Sequence, residues 1–304
     1  MKLSMLMAAI VLFGTPALVA ADDLESTFQN LKDAEAKGDA ALVKKLAAET
    51  VTLARQAMAE PAPQADDEKQ AWTQRVAYAK DVEAYTEYAL YSVAIKAPAA
   101  TTVDLLAALE QQNPKSKYLD QGYAYYMYAL SQTGATAKVL PVAERGLQNF
   151  PENEDLLLYL ADNAMAAKQS DRALNFSTRL VAALIKHTKP EGLSDSDWEK
   201  KKTAGLTRGY WISGVVYGEK NQYAAADRNL RAALPLVKGN DAMTAPALFY
   251  LGVSNYNLGL MTNNKAKVLE GAKFSDDCAK LIGPYQEQAW RNAQIMKAKA
   301  GTMR

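Results

Sequence analysis

Between Thr207 and Pro284 the chain carries two successive pairs of apolar stripes, all at helical spacing. Tyr210, Gly214 and Tyr217 share one face, Asn221-Gln222 interrupts, and Tyr223, Ala226, Leu230 and Ala233 form the partner stripe. The next pair repeats the theme with Leu248, Leu251, Gly252 and Tyr256, a break expected around Gly259, and a further helix from about Ala266. A helix with a single apolar stripe buries it only against a neighbour, and a two-helix hairpin still leaves one face bare for the next hairpin. Such a pattern restricts the chain to an all-α stack of hairpins. The composition agrees: 49% of residues are apolar and 23% charged, a balance of folded and not disordered chains.

Reading forward, residues 22–60 form an N-terminal hairpin, with Leu24, Phe28 and Leu31 on the first helix and Leu42, Val43, Leu46, Val51, Leu53, Ala54 and Met58 on the second. Gly38 ends the first helix and Asp39 can cap the second. Pro61 and Pro63 mark residues 60–65 as a linker. Residues 66–117 hold a long helix from Asp66, carrying Trp72, Val76, Ala79, Val82, Tyr85, Tyr88 and Ala89. Pro98 stops it, and Thr101 or Thr102 is the expected cap of a helix reaching Asn113-Pro114. Residues 118–304 contain the regular pairs and a last helix from Tyr285 to Ala300, whose Lys297 and Lys299 suit a solvated capping end.

The order of large and small residues resembles the tetratricopeptide repeat (TPR): aromatic, Leu-Gly, Tyr, then Tyr, Ala, aromatic, Ala. Tyr123 and Leu157 occupy equivalent positions 34 residues apart, the period of that family. Leu157 and Tyr210 stand 53 apart, and the surplus falls in His187 to Lys202, read as an insertion; Tyr210 and Leu248 stand 38 apart. The resemblance covers Tyr118 to about Phe274, while the first 100 residues match by helical pairing alone. Met127 and Val139 replace small residues of the pattern. The resemblance implies a right-handed α-solenoid of helix-turn-helix hairpins. It also implies a concave groove, lined by first helices, that holds a protein or peptide partner. Carried over residue by residue, that face is Gln121 and Tyr128, then Asp155, Asp162 and Met165, then Arg208, Trp211 and Val215, then Phe249, Tyr256 and Asn257. Trp211, Phe249 and Tyr128 have an equal claim as packing residues.

The first residues read as an export leader: Lys2, an apolar run from Leu3 to Phe13, Gly14 and Pro16, then small residues before Asp22-Asp23, with cleavage expected after Ala21 or one residue earlier. For a bacterial source this places residues 22–304 in the periplasm or outside the cell. Cleavage removes one Lys and no acid, leaving a neutral chain. Without a basic stripe, nucleic-acid binding is set aside. No later run is long enough to span a membrane.

Catalytic constellations are sparse. Cys278 is the single cysteine and reads as a buried apolar residue; His187 is the single histidine and reads as a cation at a helix C-terminus. No metal set, catalytic triad or cofactor is expected. Asp195, Asp197 and Glu199 read as a helix start capped by Ser194, with Trp198 opening the apolar face. Gly252-Val253-Ser254 lacks the second glycine of a nucleophile elbow, and Gly214 to Lys220 lacks the strand and spacing of a phosphate loop.

Two functions follow from these features, with a carboxylate enzyme ranked last. The first is a non-catalytic scaffold or adaptor of the bacterial cell envelope that holds a partner segment in a TPR-like groove. The alternative is a glycan or small-molecule binding module that uses Tyr118 to Tyr128 as a stacking platform, and it requires Tyr123, Tyr125, Tyr126 and Tyr128 to be exposed.

Overall fold

A computed structural model describes residues 16–190 and 192–303, with side chains from Asp23 onward. The expected leader at residues 1–21 lies outside the residues whose side chains are described. Thirteen α-helices and one short 3-10 turn make up the described chain, with no strand among these residues. They are α1 (Pro16–Lys37), α2 (Ala40–Ala59), α3 (Asp66–Ala94), α4 (Ala99–Gln112), α5 (Lys117–Gln132), α6 (Val139–Asn149), α7 (Glu154–Ala166), α8 (Ser170–Lys186), α9 (Asp195–Glu219), α10 (Tyr223–Val237), α11 (Asp241–Met261), α12 (Lys265–Ala279) and α13 (Gln286–Thr302). The chain divides into two compact units, one ending at Val139 and the other beginning at Leu140.

One turn recurs throughout. Gly38, Gly134, Lys168, Asn221 and Asn263 each follow a helix and adopt positive φ, between 47° and 75°. In every case the next residue donates its backbone N–H five residues back: Asp39 to Ala34, Ala135 to Leu130, Gln169 to Ala164, Gln222 to Tyr217 and Asn264 to Gly259, at 2.8–3.0 Å. This is the Schellman closure, which satisfies the last carbonyls of a helix while reversing the chain. The 34-residue period reappears in the interval from Gly134 to Lys168. The break expected at Gly259 falls three residues later. Gly259 remains inside α11 because a missing side chain there lets Val268 of α12 approach.

In the first unit, each helix packs on the next, and α1, α3 and α5 also pack in a row. Leu31, Val43, Ala54, Val82, Leu90, Leu105, Leu106 and Tyr123 fill its interior. Arg55 of α2 pairs with Glu83 of α3 at 2.7 Å and donates to the Gln112 carbonyl of α4 at 3.0 Å, pinning three helices together. Thr101 and Thr102 do not cap α4. Its N-cap is Pro98, and the buried Thr102 hydroxyl instead donates to the Ala94 carbonyl at the end of α3. Because α4 already begins at Ala99, both threonines lie inside its first turns, past the N-cap position.

In the second unit, the backbones of α7, α9, α11 and α13 approach one another in a row, whereas α10 and α12 meet through side chains, Arg231 pairing with Glu270 at 2.9 Å and lying over the Phe274 ring. The odd-numbered helices therefore form the row with the closer backbones in this unit. Close approach has a residue-level cause where α11 crosses α12: Gly252 and Gly271 face each other with backbone atoms in contact range. The stretch expected as an insertion divides in two. Residues 187–190 and 192–194 are a loop, and residues 195–202 lengthen α9 to 25 residues. Ser194 caps that helix by accepting the Asp197 N–H at 3.1 Å. Trp198 then packs on Leu157, Leu180, Ala183 and Leu184 at 5% exposure, burial that contributes about 2–3 kcal/mol. Between Leu193 and Ala204 no Pro or Gly breaks the helix, and the indole gives its first turns a reason to stay on the core.

Candidate functional site

Nine of the eleven expected groove residues lie in the second unit, on the odd-numbered helices. Most of their polar groups already have partners within the unit. Asp162 of α7 pairs with Arg208 of α9, whose guanidinium lies 4.7 Å from the Trp211 ring centroid. The Trp211 indole N–H donates to the Met243 carbonyl at the start of α11, at 2.7 Å. Asp162, Arg208, Trp211 and Met243 thus form a strap across three successive odd-numbered helices. Lys201 adds a second crossing, 2.7 Å from Asp155 and 3.7 Å from Glu154.

The hydrophobic members are unequal. Val215 is 2% exposed and Trp211 7%, both inside the core that includes Ile212, Val216, Leu230 and Leu251. Val215 offers no surface to a partner, because α9 is enclosed by α7, α8, α10 and α11 along its C-terminal half. Met165 is half-buried against the same core. Phe249 packs edge-on to Tyr250 and tilted against Tyr285, at centroid distances of 5.2 and 4.9 Å. Tyr256 is half-buried over Val268, Ala272 and Met296. Asn257 donates to the Val253 carbonyl one turn back, at 2.8 Å. Along the first half of α9 runs an open groove of about 720 Å³, where Lys200, Thr203 and Thr207 face Leu236 and Met243.

The single cysteine and the single histidine are each engaged by neighbouring groups. Cys278 is fully buried, its thiol donating to the Ala245 carbonyl at 3.3 Å, and burial pushes its pKa up to about 11. His187 ends α8 with Nδ1 2.6 Å from Glu154 and Nε2 3.4 Å from Glu152. Burial opposes its charge, but the hydrogen bonds and field of the two carboxylates outweigh burial and raise its pKa above the ordinary histidine value. Among the described residues, no group of three or more His, Cys, Asp or Glu side chains could hold a metal. No helix among them is long and apolar enough to cross a membrane.

The first unit holds Gln121 and Tyr128, both exposed, together with a feature that residue order along α5 does not disclose. The tyrosines of that helix separate: Tyr123 and Tyr126 are 0% and 4% exposed, Tyr125 and Tyr128 46% and 68%. The expected platform along α5 is corrected in that respect, since the spacing Leu119, Tyr123, Tyr126, Leu130 is the helix's core stripe. Tyr118, Gln121, Tyr125 and Tyr128 occupy the opposite side. They continue an aromatic face that runs across helices instead of along one. Phe28 of α1 meets Tyr78 and Tyr85 of α3 edge-on, at 6.2 and 5.2 Å. Tyr85 meets Tyr88 at 5.6 Å, Tyr88 meets Tyr118 of α5 at 5.6 Å, and Tyr91 stacks on Tyr118 at 5.8 Å.

Polar groups frame these rings. Tyr78 donates to Glu25, and Tyr85 to Glu35 at 3.4 Å; the Ser92 hydroxyl holds the other Glu35 oxygen at 2.8 Å. Burial, then the Glu35 carboxylate, pushes the Tyr85 phenol up to about 12, so it stays a donor at any physiological pH. Lys32 lies over Phe28 at 4.4 Å and Lys117 over Tyr118 at 4.9 Å. The signal for this face in the sequence is Tyr78, Tyr85 and Tyr88, separated by seven and three residues on α3, the same side of a helix.

No protein-family model matches the chain, and no curated protein does. Among solved structures, a chain from the computational design of self-assembling cyclic protein homo-oligomers aligns over 94% of this chain and 94% of its own, at 12% identity and a TM-score of 0.24.

Proposed function

We propose that this is an exported, non-catalytic adaptor of the bacterial cell envelope, a TPR-like right-handed solenoid whose odd-numbered helices receive a protein or peptide segment. The observation that carries the reading is the aromatic face of α1, α3 and α5. Four of its tyrosines, Tyr78, Tyr88, Tyr125 and Tyr128, keep 37% to 68% exposure while their neighbours pack edge to edge. Clustered tyrosines expose apolar area with a polar rim and lose little side-chain entropy on contact, which is why they are enriched where proteins meet. The recurring turns support a repeat, since each hairpin closes alike and hands its bare face to the next.

A second reading keeps the same rings as a stacking platform for a glycan or small molecule. Tyr125 and Tyr128, exposed on one side of α5 beside Gln121, favour it. Site-specific photocrosslinking in an envelope extract separates partner capture from background. A crosslinker at Tyr128 or Asn257, on odd-numbered helices, should trap one protein. The same group at Ile185 of α8, 61% exposed, should not. Equal labelling from all three positions would remove the case for a partner face.

A further inference from the structure

We propose that the aromatic face of α1, α3 and α5 takes a proline-rich segment in the polyproline II conformation that carries a basic residue. This inference rests on the adaptor reading and names its partner's chemistry.

Spacing is the first argument. Packed helices stand about 8–10 Å apart, so a ligand crossing the row α1, α3, α5 meets a new helix at that interval. A polyproline II helix turns once in three residues and rises about 3.1 Å per residue, so it presents the same side about every 9.3 Å. One proline in three therefore meets α1, α3 and α5 in turn, and about seven residues span the face.

Relief is the second. Ala77 and Ala84 on α3 and Ala124 on α5 are exposed on the helices that carry the rings, and their short side chains stand lower than the tyrosines. Aromatic-lined slots accept pyrrolidine rings, and the segment loses little entropy because its conformation exists beforehand. An amphipathic helix would instead need aliphatic pockets for its Leu-type anchors, whereas the apolar side chains of this face are aromatic or alanine. Tyrosine hydroxyls are also suited to a segment whose backbone carbonyls lack internal partners.

Charge gives the basic residue. The ammonium groups of Lys32 and Lys117 already lie over rings of the face. Carboxylates border the α1–α3 half: Glu25 at the Tyr78 hydroxyl, Glu35 at Tyr85, and exposed Asp81 one turn from both Tyr78 and Tyr85 on α3. A Lys or Arg at the end of the segment over α1 meets these acids and can lie against the tyrosine faces.

The test uses the chain from residue 22 onward and fluorescence anisotropy with a labelled nine-residue probe, Pro at every third position and Arg at one end. Three competitors accompany it: the same peptide with Pro replaced by Ala, the same with Arg replaced by Gln, and a glucose hexasaccharide. The proline-rich probe should bind, the Ala version at least ~10-fold more weakly, and the Gln version ~3- to 10-fold more weakly. Tyr125→Ala and Tyr128→Ala, at exposed positions, should each weaken the probe by ~5-fold or more with unchanged circular dichroism, and Asp81→Asn should remove the preference for Arg over Gln. Equal or tighter binding of the Ala peptide overturns the proline assignment and leaves the adaptor reading standing. Binding of the hexasaccharide with none of the peptides overturns both. Absence of any binding to a folded chain overturns the inference, while the photocrosslinking result judges the adaptor reading by itself.

Discussion

Replacing Gly271 by alanine sets two opposing effects against each other at the crossing of α11 and α12. A methyl group built there stands 2.7 Å from the Gly252 carbonyl oxygen and 2.8 Å from the Tyr256 nitrogen, where ordinary contact begins at 3.4 Å. Both obstacles are backbone atoms, so no side chain can swing away. The helices must separate by about 0.7 Å, the difference between those contact distances. A gap of that size forfeits roughly a quarter to a half of each dispersion contact along the crossing. Overpacking of a rigid core costs about 1–3 kcal/mol, and rigid obstacles put this site at the upper end. Alanine recovers about 1 kcal/mol in helix propensity. The net expectation is a loss of about 2 kcal/mol, read as a Tm lower by about 4–8 °C for a unit of this size. Gly301→Ala is the control, because its new methyl meets nothing within 4 Å on α13. It should leave Tm unchanged or slightly raised. Thermal and urea melts followed by circular dichroism give both values, and a Gly271→Ala chain as stable as the parent would refute the claim that backbone contact sets the α11–α12 spacing.

Lys168 holds φ at 56° in a turn where its counterparts are glycine or asparagine. Lys168→Gly should therefore raise stability by about 1 kcal/mol, measured by the urea midpoint; Lys168→Val should lower it. His187 has a folded pKa raised above its unfolded value, so the stability it contributes is fully present below the unfolded pKa and is lost as pH rises through the folded one. Wild type should lose more of its urea resistance than His187→Gln between about pH 6 and pH 8.5, and parallel pH profiles would show that the Glu152–Glu154 pairing does not matter. Cys278, buried with its pKa near 11, should resist maleimide in the native chain and react fully in urea. Rapid native labelling would mean that α12 opens readily.

Much of the fold was legible because helical spacing, caps and breakers are local. Asp39 capping α2 through the Leu42 N–H, Ser194 opening α9, and the stops at Pro61 and Pro98 each depend on residues within one turn of the event. Three reversals carried no glycine flag. Lys168, Asn221 and Asn263 take up the left-handed conformation because the helices on both sides require the chain to reverse there. The groove was legible only as a pattern of equivalent positions. Val215 and Trp211 occupy such positions, yet α9 is long and central, and its neighbours close over them.

The sequence by itself determined that the described residues are all-α and that successive helices pair, because these follow from the 3.6-residue period and the chemistry of helix ends. Tertiary structure decided which outward stripes become one surface. Phe28, Tyr78, Tyr88 and Tyr118 are up to 90 residues apart in the chain, and nothing local ties their faces together. They meet because α1, α3 and α5 pack in a row, and the rotation of each helix about its axis is set by the core stripe on its opposite side.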